Sequence, residues 1–201
     1  MPIAINGSGT VTGISVGGLP DGIVDADMLA SNAVTAGKLA SGVGGKILQV
    51  VSTTKTDTFS ATANQTVDIT GLSVSITPSS TSSKILISYS ITAGITEGGF
   101  AGGILLLRDS TQIYLGDAAS NRARISNFIS ISNTGGGTDY NMVNASGEHL
   151  DSPSTTSAIT YKLQAKTMGS GAFYIGRSKS DSDQNYIPRT PSSITLLEVA
   201  A

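Results

Sequence analysis

The one histidine of the chain stands in Gly147-Glu148-His149-Leu150-Asp151, where carboxylates flank an imidazole. A threefold arrangement of copies could gather three such rings around a metal ion, with the acids behind them as orienting groups. A structural site normally wants four ligands, and a lone His near a strand end is more often a hydrogen-bonded or exposed ring. Asp181-Ser182-Asp183, with Gln184 and Asn185, supplies the hard oxygen donors that calcium uses, but the remainder of an EF-hand loop is missing. It reads as a solvated polar loop, and no metal is expected at either place. Glycan cleavage would need two carboxyls at a defined separation, for which Glu97, Glu148, Asp139 and Asp151 are available. Almost any protein offers as many acids, and no coherent nucleophile, base and oxyanion arrangement accompanies these. The expectation is a protein that is not an enzyme and carries no cofactor.

The absence of Cys and Trp removes disulfides, thiol nucleophiles and Cys-based zinc or iron–sulfur sites. Gly94–Gly103 and Gly135-Gly136-Gly137 lack the strand-to-helix setting, with its Lys and Ser or Thr, that makes a phosphate cradle, so they are expected to be loops. If the protein binds sugar, aromatic faces near polar loops should do it. That makes Phe100, Tyr140 and Tyr186 the candidate receptor-facing residues, with core or subunit-interface packing as the competing fate of each.

The elements that would position these residues follow from composition and pattern. The chain has 201 residues, 13% of them charged, and is rich in Ser, Thr and Gly, a balance that favours strands and turns over helices. Its formal charge of −2 leaves no basic surplus for nucleic acid or an anionic membrane. The longest apolar run, around Ile104-Leu105-Leu106-Leu107, is far short of the ~20 residues a membrane helix needs. No signal peptide opens the chain, so a soluble protein made in the cytoplasm is expected.

The first 45 residues contain no aromatic residue and are punctuated by glycine, so a private core is not expected there. Val24-Asp25-Ala26-Asp27-Met28-Leu29-Ala30-Ser31 is echoed ten residues later by Val34-Thr35-Ala36-Gly37-Lys38-Leu39-Ala40-Ser41. Each unit could be a single turn capped by Asp25 or Thr35, which does not survive alone in water. Val24, Leu29, Val34 and Leu39 recur every five residues, matching neither the helical nor the strand period. Identical copies wound around an axis would bury them, which predicts a trimeric neck over residues 23–45, with a flexible linker of accidental internal similarity as the alternative. Residues 1–22 carry Ile3, Ile5, Val11, Ile14 and Val16 among small turn-forming residues, a pattern suited to adding strands to a partner. They are expected to form a docking segment.

From residue 46 to 201 the texture is strand, turn, strand. Ten strands are predicted: 46–53, 66–77, 84–92, 104–108, 112–115, 125–131, 141–150, 158–165, 172–175 and 193–199. Clean alternation in Ile85-Leu86-Ile87-Ser88-Tyr89-Ser90-Ile91 is that of a half-buried antiparallel strand. Eight to ten such strands in this length predict an all-β jelly roll or related two-sheet sandwich.

These blocks resemble the small structural proteins of tailed bacteriophages, especially those of marine and cyanobacterial hosts. The segment 25–40 resembles neck repeats of phage tail fibres. Gly45-Lys46-Ile47-Leu48-Gln49-Val50-Val51, residues 76–87, Leu150-Asp151-Ser152-Pro153 and residues 192–199 resemble blocks of phage fibre heads. The resemblance implies a homotrimer with heads similar to tumour necrosis factor-like jelly rolls. It also implies a virion location, on the tail or alternatively on the capsid surface as a decoration or head-fibre protein. Other virion proteins, a tail adaptor or nozzle or else the capsid, would then be partners, with a host-surface glycan as the adhesion target and no nucleic acid or membrane insertion. A capsular polysaccharide depolymerase is the reading from a different class.

Overall fold

In the computed structural model the described residues are 46–201 apart from 63, 96–100, 131–137 and 170, together with 4, 5, 11, 12, 29, 31, 33–35 and 38. The chain divides into two units, Met1–Gly45 and Lys46–Ala201. In the first, β1 (Ala4–Ile5) pairs antiparallel with β2 (Val11–Thr12), Ile5 lying opposite Val11.

The second unit is built from β3 (Ile47–Lys55), β4 (Phe59–Ala61), β5 (Thr66–Ile76), β6 (Lys84–Ile95), β7 (Ala101–Arg108), β8 (Thr111–Ile113), β9 (Asn127–Ser130), β10 (Val143–Asp151), β11 (Ile159–Met168), β12 (Phe173–Ile175) and β13 (Ser192–Val199), with one 3-10 turn at Thr138–Tyr140. One sheet runs β3-β13-β6-β12-β4, with β10 also on β6; the other runs β5-β11-β7-β8, with β9 also on β7. Every pairing is antiparallel. No α-helix occurs among the described residues, and the fold is the all-β antiparallel sandwich of jelly-roll type that the strand pattern predicts.

Alternation explains the core. In β6, Ile85, Ile87, Tyr89 and Ile91 point inward and are buried, facing Tyr161, Leu163 and Ala165 of β11 in one apolar cluster with Ile194 and Leu196 of β13. Each buried aliphatic side chain contributes about 1.5–3 kcal/mol through removal from water. Polar clasps close the ends. Glu198, fully buried, accepts hydrogen bonds from the Ser79 amide (2.7 Å), the Ser79 hydroxyl (2.6 Å) and the Gln49 amide (2.6 Å), which ties the turn after β5 to β13 and β3. Thr167 accepts from the Gln65 amide at 2.7 Å and donates to the Thr62 carbonyl at 2.7 Å.

The structure departs from the sequence reading in identifiable places. Gly94–Gly103 is not wholly a loop: Gly94 belongs to β6, and Gly102 and Gly103 to β7. Glycine is needed there because neighbours approach closely. A Cβ on Gly102 would lie 2.4 Å from the Phe173 ring, one on Gly103 2.9 Å from Ile125, and one on Gly94 2.9 Å from the Arg177 carbonyl. Strand β8 ends at Ile113 instead of continuing to residue 115, because Tyr114 takes a left-handed backbone with φ 55°. Strand β9 starts at Asn127, two residues later than predicted. Gly135, Gly136 and Gly137 lie outside the described residues.

Candidate ligand-facing site

The polar segment that follows β12 is tied down at its base by backbone. Gly176, at φ 74°, donates its amide to the Thr92 carbonyl (2.9 Å) and accepts from the Thr190 amide (3.1 Å), so the loop leaves and returns at one point. The segment then lies directly on β6, where the missing side chain of Gly94 makes room for the backbone of Arg177 and Ser178. Positive φ and this close approach together account for glycine at both positions.

Side chains lock the loop further. The Arg177 guanidinium sits 4.3 Å from the centre of the Tyr174 ring and donates to the carbonyls of Ser178 and Lys179 at 3.3 and 3.2 Å. Arg189 donates to both carboxylate oxygens of Asp181, at 2.8 and 3.0 Å, and the Arg177 guanidinium lies 3.9 Å from the same carboxylate. Lys179 pairs with Asp139 at 2.7 Å, and the Ser180 amide donates to the Asp139 carbonyl at 2.8 Å. These bonds join the loop to the Thr138–Tyr140 turn. Each exposed ion pair contributes at most about 1 kcal/mol, but together they hold one geometry.

The outcome is an aromatic pair on a fixed polar support. Tyr140 and Tyr186 are both exposed, at 48% and 62%, and meet edge to face with ring centres 5.9 Å apart at 75°. The loop that carries Tyr186 also frames a depression of about 350 Å³ lined by Asp181, Ser182, Asp183, Gln184, Ile187 and Arg189. Two of the three candidate receptor-facing residues are therefore neighbours on the surface; the third, Phe100, lies outside the described residues. Exposed ring faces beside carboxylate, amide and guanidinium groups can stack on sugar C–H faces and hydrogen-bond hydroxyls.

The other candidates are dispersed. Asp181 is engaged by two guanidinium groups, which occupy the carboxylate that a calcium ion would use. His149 packs against Tyr114, ring centres 5.2 Å apart, while Glu148 projects from the opposite side of β10. Among the described residues no three of His, Asp and Glu cluster as a metal site would require. Asp139 is held by Lys179, and Asp151 is held by Arg108 and Tyr161, so neither is an unengaged carboxyl. Glu97 lies outside the described residues.

Of the docking residues, Ile5 and Val11 sit in the β1–β2 pair, and Ile3, Ile14 and Val16 lie outside the described residues. Of the neck residues, Leu29 and Val34 are exposed at 43% and 47% in the single chain, and Val24 and Leu39 lie outside the described residues. The Arg177–Tyr174 contact and the Tyr114–His149 pair have no sequence signal, since each joins residues that no periodicity relates.

No family model matches the chain, and no curated protein matches it. Among solved structures it is similar to a mutant VP2 protein of infectious bursal disease virus in T=1 particles, with a TM-score of 0.37 and 12% identity over 76% of this chain. It is similar to infectious bursal disease virus of the Gx strain (TM-score 0.37, 14% identity) and of the Gt strain (0.36, 13%), each over 76% of this chain. The chain spans 36% of the first of those chains and 37% of the other two.

Proposed function

We propose that the protein is a non-enzymatic structural component of a tailed-phage virion, a short homotrimeric tail fibre. Residues 1–22 dock on the particle, residues 23–45 wind three chains together, and residues 46–201 face outward to bind a host-surface glycan. The observation that carries the adhesive part is the exposed Tyr140–Tyr186 pair beside the Asp181–Arg189 depression, held on a loop anchored to β6. Preordering of this kind lowers the entropic cost of binding, and three copies on one fibre turn a weak site into an avid one.

Particles carrying Tyr140→Ala or Tyr186→Ala should incorporate the protein normally and adsorb to host cells on the order of ten times more slowly, because loss of an aromatic stack acts at all three sites at once. Removal of residues 1–22 should abolish incorporation. Normal adsorption by both tyrosine variants would refute the adhesive role, and sugar release from purified host polysaccharide would make the protein a depolymerase instead. Antibody labelling of the capsid surface would place it as a decoration or head fibre.

A further inference from the structure

The outward face of the first sheet carries an apolar row that crosses four strands. The register places Leu150 opposite Leu86, Leu86 opposite Leu197, and Leu197 opposite Val50. Leu150 and Val50 are 48% and 58% exposed, and Leu86 and Leu197 are half-buried. The row on one side is polar, with Glu148, Ser88, Thr195 and Ser52, and on the other side Lys84 lies opposite Val199 and Val199 opposite Ile47.

The second sheet handles the same problem differently. Leu105 and Leu107 also point away from the core, yet they are 1% and 3% exposed. On that face Ile125, from the connection between β8 and β9, stands over Gly103. The outward leucines of the second sheet are thus covered within the chain, and those of the first are left open.

We infer that copies of this chain meet on the outward face of the first sheet, with the Leu150–Leu86–Leu197–Val50 row at the centre of the contact. This inference rests on the homotrimer reading above and names the surface it uses. Three observations select a second copy as the occupant. The outward positions of the four strands include only two charged residues, Lys84 and Glu148, of opposite sign, so copies meet without net repulsion. Four strands spaced about 4.8 Å apart and about eight residues long present a projected area of about 500 Å² before side-chain relief is counted. That is the order of the ~800 Å² per partner of a standard interface. The row also lies at the end where the chain enters this sheet: Lys46 accepts from the Ala200 amide at 2.7 Å, and Ile47 pairs with Val199. Association of the 23–45 segments would bring these ends of the copies together.

The chain has no cysteine, so a single introduced thiol reports its own surroundings. Thr195 and Thr160 are matched positions, half-buried on the outward faces of the two sheets and each hydrogen-bonded to a serine across the strand, Ser52 at 2.9 Å and Ser75 at 2.8 Å. In the full-length protein, maleimide should label Thr195→Cys at least ten times more slowly than Thr160→Cys, and sedimentation of both variants should give a trimer. Adding Leu197→Asp should restore fast labelling at position 195, with a melting curve showing that the fold survives. Equal labelling in a trimer overturns the inference and leaves the homotrimer standing. Slow labelling at 195 in a monomer overturns it too, since residues 1–45 would then be the cover. A monomer labelled equally fast at both positions refutes the homotrimer reading itself.

Discussion

The Tyr161 hydroxyl donates to a carboxylate oxygen of Asp151 at 2.6 Å, and the two residues belong to opposite sheets of the sandwich. Arg108, beside Tyr161 on β7, completes the clasp by donating to both oxygens of Asp151 at 3.0 and 2.9 Å. Burial pushes the Tyr161 hydroxyl well above the usual tyrosine range, and the hydrogen bond to Asp151 adds to the rise, so the phenol stays protonated and remains a donor.

Breaking this clasp from its two ends should give unequal losses. Tyr161→Phe leaves Asp151 paired with Arg108 and should cost about 1.5–3 kcal/mol, the range of a hydrogen bond to a charged group. Asp151→Ala strands the Arg108 charge and should cost about 3–5 kcal/mol. Urea unfolding of the two variants measures the difference. Equal and small losses would mean that the clasp does not join the sheets energetically.

Glu198 should set the acid limit of stability. Burial raises the pKa of its carboxyl, but hydrogen bonds from Ser79, Ser83 and Gln49 outweigh that effect and push it down to about 2, against an unfolded value of 4.5. The folded pKa is the lower one, so its stabilising contribution is fully present above pH 4.5 and is lost as pH falls towards 2. Glu198→Gln should therefore be less stable than the parent at neutral pH and should flatten the decline in melting temperature below pH 4.5. An unchanged acid profile in this variant would show that another group controls it.

Two glycines should resist even the smallest substitution. A Cβ on Gly147 would lie 2.5 Å from the Tyr89 hydroxyl oxygen, and one on Gly102 would lie 2.4 Å from the Phe173 ring. Tyr89 and Phe173 are buried core residues with little room to move. Gly147→Ala and Gly102→Ala should each lose about 1–3 kcal/mol by overpacking. Gly116→Ala, where a Cβ meets nothing within 4 Å, is the matched control and should be close to neutral in thermal unfolding.

Strand identity was legible wherever one face of a strand is buried and the other is wet, because alternation then writes the burial pattern into the residue types. Ile85, Ile87, Tyr89 and Ile91 announce their shared face in this way. Alternation is silent in Ile104-Leu105-Leu106-Leu107, since both faces of β7 are covered, and in the three residues of β4, which are too few to show a period. Residue types nominated Tyr140 and Tyr186 as receptor-facing candidates but left packing in a core or subunit interface open for both, and only the tertiary structure, with its loop anchored at Gly94 and Gly176, makes them exposed neighbours across 46 positions. The row of Leu150, Leu86, Leu197 and Val50 has the same origin: the four residues stand on four separate strands, and their alignment is a product of strand order and register. Local sequence therefore determined the strands that alternate and which side of each is apolar, because those depend on the period of the residues themselves. Pairing partners, register and the covering of outward leucines were decided by tertiary structure, because they depend on contacts between residues far apart in the chain.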